Sequence, residues 1–109
     1  MNFKLLFSSG IIFLTVLLTF FFADKPILLS TLIIVVAYLK HLLYPIKKEL
    51  VWFALVSLGG GITEVFLVNS GSVWVYSISQ FMGIPIWIPL FWGTMATAII
   101  VVYNELIRK

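Results

Sequence analysis

Four apolar runs, each close to the length of a membrane crossing, leave this chain almost nothing from which to build a water-soluble core. Residues 5–23 carry no charge, and residues 27–46 contain only Lys40 and His41 among titratable cations. A third run extends from Leu50 to about Val68 and a fourth from about Ile84 to Tyr103. Crossing a hydrocarbon core about 30 Å thick takes about 20 apolar residues in a helix. With 62% hydrophobic and 10% charged residues in 109, the composition is far from that of an average soluble domain. The expectation is an all-α polytopic membrane protein: a four-transmembrane-helix bundle with short loops, forming a single membrane domain over 1–109. The runs and their flanking turn residues predict helices at about 4–23, 27–46, 50–68 and 84–105. An outer interfacial segment, 69–83, joins the last two.

The first run follows Lys4 in the manner of a secretory signal. It exceeds an h-region of about 7–15 residues, and Phe21 and Ala23 make no small-x-small cleavage site, so it reads as a retained helix. Cysteine is absent, which removes disulfides and thiolate metal sites. The formal charge of +3 reads as orientation and gives no sign of nucleic-acid binding. With four spans, Lys4, Lys47, Lys48, Arg108 and Lys109 share one side, with Lys40 snorkelling toward it. The opposite side has Lys25 beside Asp24. By the positive-inside rule both termini are cytoplasmic, as in a multi-pass protein of the cell (plasma or inner) membrane.

Each predicted helix carries one small or weakly polar stripe. These are Ser8, Thr15 and Thr19; Thr31, Tyr38 and His41; Ser57, Gly60, Gly61 and Glu64; and Gly93, Ala96 and Thr97. Small residues let membrane helices approach closely, and hydroxyls can bond across the interface. Glu64 stands out among them. A carboxylate inside a span is costly and marks a site by default. It lies 14 residues beyond Leu50, about 21 Å at 1.5 Å per residue, in the outer half of the span. Facing groups at that depth are Thr19, Ser30 or Thr31, and Trp92. As a neutral acid it can donate a proton or bind a ligand; otherwise it bonds a backbone carbonyl or hydroxyl beside the glycines.

His41 sits beside Lys40 and the basic turn and reads as interfacial, and Asn104 and Glu105 read as a solvated rim. One His and one Glu on different faces do not make a metal site, and no cofactor is implied. The segment GIPIWIPLFWG places Pro85 and Pro89 around Trp87, so the fourth helix starts near Pro85 with an irregular first turn. The preceding segment supplies aromatic residues suited to the headgroup level, Trp74, Tyr76 and Phe81. Candidate ligand-binding residues around Glu64 are therefore Asn69, Trp74, Tyr76, Gln80, Trp87 and Trp92.

The order Gly60-x-x-x-Glu64, Gly71, Trp74-x-Tyr76 and Gly83-Ile84-Pro85 before a Trp-containing helix resembles the core of membrane carotenoid hydratases. More loosely it is similar to the heterodimeric lycopene cyclases. The resemblance covers about residues 57–97 and implies a polyene substrate, with Glu64 as the acid that protonates a double bond. The whole layout, with its KKEL turn, Gly-rich helix bearing an acid and Pro-Trp helix start, is also similar to a family of small four-span bacterial membrane proteins. That likeness carries no mechanism with it.

Several functions fit these features. The first is an outer-leaflet pocket around Glu64 for a lipid-like or polyene ligand, with a hydratase- or cyclase-like enzyme as its catalytic form. The others are a small proton-coupled exporter and a structural or accessory subunit. Expected partners are membrane lipids, a hydrophobic small molecule and either a second copy or another membrane protein, with no nucleic acid.

Overall fold

The computed structural model describes residues 3–70 and 84–107. They form four helices, α1 (Phe3–Phe22), α2 (Pro26–Leu43), α3 (Glu49–Asn69) and α4 (Trp87–Ile107). All four are long and apolar enough to cross a membrane. The molecule measures 44 × 23 × 21 Å, so its long axis matches a bilayer including its headgroups. The segment 69–83 expected at the outer interface lies, beyond Ser70, outside the described residues, and so do Trp74, Tyr76 and Gln80.

Helix ends fall where the backbone chemistry directs. Pro26 opens α2, where its missing N–H is one of the groups a helix start leaves unpaired anyway. α3 begins after Lys48, whose φ of 54° puts it in the left-handed region, and Lys48 O accepts from Trp52 N at 3.1 Å. α4 begins at Trp87, two residues later than the Pro85 start expected from sequence. Ile88 N donates to Pro85 O at 3.2 Å, so a turn precedes the helix. Pro89 then occupies the first turn of α4 and breaks no intrahelical bond.

α4 is the central element, packed against the other three helices, while α3 packs chiefly on α4. Burial is inverted relative to a soluble protein. Phe20, Leu50, Phe66 and Ile27 are at least three-quarters exposed, while Ser8, Thr15, Lys40, Thr94 and Thr97 are buried. A water-soluble fold places these classes the other way round.

The buried stripes of α1 (Ser8, Ile11, Thr15) and α3 (Ser57, Gly61, Glu64, Val68) contain the polar residues expected from their spacing. The stripe of α2 differs. Leu29, Ile33, Val36 and Lys40 are buried, whereas Thr31, Tyr38 and His41 face outward. Thr31 meets no cost there because its hydroxyl donates to Ile27 O at 2.9 Å within its own helix. Thr15, Thr19 and Thr63 do the same, to Ile11, Thr15 and Gly59. These threonines are satisfied locally and do not bond across helices.

Candidate functional site

Glycine sets the α3–α4 distance. A Cβ on Gly60 would fall on the indole of Trp92, 2.7 Å from Cδ2 and 2.8 Å from Cβ, with Cγ closer still. A Cβ on Gly93 would collide with Ser57 Oγ and lie 3.0 Å from the Phe53 ring. Gly61 approaches Pro89, whose Cγ would be 3.1 Å from such a Cβ. The two helices therefore meet backbone to side chain over about two turns, an approach only glycine permits.

That approach delivers Trp92 to Glu64. Trp92 Nε1 donates to Glu64 Oε2 at 3.1 Å, and Glu64 is 7% exposed. Glu64 lies five residues before the end of α3, about 7 Å from that end of the helix. Of the groups expected at its depth, Trp92 is the one bonded to it among the described residues. Thr19 and Thr31 turn to their own helices instead.

Beside this pair runs an apolar groove of about 380 Å³, lined by Ser57, Leu58, Gly61, Ile62, Val65 and Phe66 of α3, together with Ile84 and Pro89. Glu64 is not among its lining residues, although Gly61 and Val65 flank it one turn and one residue away. Val65 and Phe66 also border a second hollow of about 500 Å³ that reaches Asn69 and Ser70. The two share Val65 and Phe66 and lie along the C-terminal half of α3.

Of the other candidate residues, Asn69 and Trp87 are described. Asn69 is exposed and its Nδ2 donates to Val65 O at 2.8 Å. Trp87 is buried in a cluster with Leu29 and Ile33 of α2, Val68 of α3, Ile84 and Ile88, and meets Phe91 edge-on at 6.2 Å. Among the described residues no cluster of His, Cys, Asp or Glu could hold a metal.

A second polar cluster lies at the end of the bundle that carries both termini. Glu49 Oε1 accepts from Lys40 Nζ at 3.1 Å, from Ile46 N at 3.0 Å, and pairs with His41 Nδ1 at 3.0 Å. Lys40 is fully buried and Glu49 nearly so, so Lys40 does not snorkel to the interface as its position implied. Glu105 is likewise buried, 3.7 Å from Lys4 Nζ, and is no solvated rim residue. The available sequence signal was the nine-residue spacing of Lys40 and Glu49 across a short turn, which returns an acid to the level of a preceding base.

The fold and these polar interiors define a four-helix, multi-pass membrane protein class. No protein-family model, curated protein or solved structure matches the chain.

Proposed function

We propose that this protein is a multi-pass protein of the plasma or inner membrane, with both termini cytoplasmic, that holds a lipid-like chain such as a polyene along the outer half of α3. The observation that carries the reading is the wholly apolar groove beside the buried Glu64–Trp92 pair. Preformed ligand sites combine apolar walls with a few fixed polar groups, and an acid inside a span is costly enough to mark function. The orientation is supported by Lys4, Lys47 and Lys48 at one end, with Arg108 and Lys109 following α4, against Lys25 at the other. Binding is favoured over catalysis because Gly61 and Val65, and not Glu64, line the groove.

The test is energy transfer from tryptophan to diphenylhexatriene, a polyene probe, in detergent-purified protein. The expected result is saturable transfer that falls when Val65→Phe fills the groove. Non-saturable transfer, equal in wild type and variant, refutes the reading. The catalytic form is tested separately: a pigment product made by wild type and lost in Glu64→Gln supports it, and unchanged extracts from polyene-producing cells refute it for those polyenes.

A further inference from the structure

α2 and α3 share a turn but do not pack along their lengths. Between them, at the end that carries the termini, lies a groove of about 360 Å³. Ile34 and Ala37 of α2 and Phe53 of α3 line its apolar end, and Tyr38, His41, Glu49 and Leu50 line the end nearer the turn, its mouth. Ile34 and His41 are seven residues apart, about 10 Å along the helix, so the groove grades from apolar to polar over that distance.

The charge at the mouth is also defined. Glu49 Oε1 accepts from Lys40 Nζ and Ile46 N, so its contact with His41 Nδ1 requires the proton on that nitrogen. Nε2 is then the remaining polar atom of a half-exposed ring. Lys40 and Glu49 cancel as a buried ion pair. Lys48, exposed and adjacent to Glu49, and Lys47 beside it leave the mouth with a net positive field. Lys47 lines a separate small hollow with Lys4 and Glu105, so it contributes field, while Lys48 is the chain neighbour of the groove-lining Glu49.

We propose that this groove holds an anionic phospholipid, its phosphate at Lys48, a headgroup hydroxyl donating to His41 Nε2, and one acyl chain against Ile34, Ala37 and Phe53. An amphiphile matches the polarity gradient, and the excess positive charge selects an anionic headgroup. Basic pockets between spanning helices bind such headgroups by this combination. The site is separate from the Glu64 groove. Glu49 and Glu64 are fifteen residues apart on α3, about 22 Å, so each proposal stands or falls without the other.

Native mass spectrometry of the detergent-purified protein tests it, using phosphatidylglycerol and phosphatidylcholine of identical chains. The expected result is one retained phosphatidylglycerol with a clear preference over phosphatidylcholine. Lys48→Gln should lower that preference about fivefold, the effect of one basic residue near a membrane surface. Ala37→Phe, which fills the groove, should release the lipid. Ile34→Trp does the same from a half-exposed position, should the first variant fold poorly. Lys25→Gln, in the turn between α1 and α2 at the opposite end of the bundle, should leave retention unchanged. Equal retention of the two lipids overturns the proposal, as does undiminished retention in the groove-filled variants. Displacement by glycerol phosphate alone also overturns it, because the chain would then contribute nothing.

Discussion

Adjacent glycines on α3 should respond to the same substitution with opposite signs. In Gly60→Ala the new methyl would sit 2.7–2.8 Å from Trp92 Cδ2 and Cβ. Carbon atoms settle at about 3.5–4.0 Å, so α4 must back away by about 1 Å. Trp92 Cβ is fixed to the α4 backbone, and rotating the indole alone does not relieve the contact. A shift of that size takes the Trp92–Glu64 bond from 3.1 Å to about 4 Å, beyond hydrogen-bonding range. Weakening a buried hydrogen bond costs about 1–3 kcal/mol, and overpacking costs about 1–3 kcal/mol. The helix preference of Ala over Gly returns about 1 kcal/mol. These effects share one displacement and are not additive, so the net loss expected is about 1–4 kcal/mol. At Gly59 a Cβ would meet nothing within 4 Å, and Gly59→Ala should be neutral or stabilising by up to about 1 kcal/mol. SDS-induced unfolding of each variant in mixed micelles, followed by circular dichroism, gives both values. A Gly60→Ala protein as stable as wild type, or a Gly59→Ala protein equally damaged, would refute the close-approach reasoning.

Further expectations concern the polar interior. Lys40→Met should destabilise by about 3–5 kcal/mol by stranding Glu49, while Lys40→Met with Glu49→Leu should cost much less than the sum of the single changes; additive losses in the same unfolding assay would contradict the buried pair. Trp92→Phe should cost about 1–3 kcal/mol by removing a donor to Glu64, and wild-type stability would show that the bond contributes nothing. The chain has no cysteine, so single cysteines at Ser70 and Lys47 can be labelled with an impermeant thiol reagent in intact cells. Label at position 70 alone is expected, and label at position 47 alone would reverse the orientation.

The architecture was legible because membrane spans are written in long apolar runs, and the short turns at Asp24–Pro26 and Pro45–Lys48 leave few ways to connect them. The α3 stripe was legible because Ser57, Gly60, Gly61 and Glu64 are unlike anything that would face lipid. The α2 stripe was not. Lipid is as apolar as Leu29, Ile33 and Val36, so hydrophobicity does not separate a buried face from a lipid-facing one. Its threonine, meanwhile, is comfortable outside once bonded to its own carbonyl. Lys40 was misread because a lysine near a helix end ordinarily reaches for water, and its buried partner comes from the next helix. Depth alone put Trp92 beside Thr19, Ser30 and Thr31 as groups that could face Glu64, and did not choose among them. The burial of Trp87 among residues of α2 and α3 depends on the rotation of α4, which periodicity in an all-apolar helix does not fix.

The most direct measurement is photolabelling in membranes with a fatty acid carrying a diazirine near its chain end, with adducts mapped by mass spectrometry. Labels concentrated on Leu58, Ile62, Val65 and Phe66, and displaced by excess unlabelled fatty acid, are expected if the α3 groove holds a lipid-like chain. Labels spread evenly over other lipid-facing positions such as Phe20, Leu39 and Leu55, and insensitive to competitor, would contradict it.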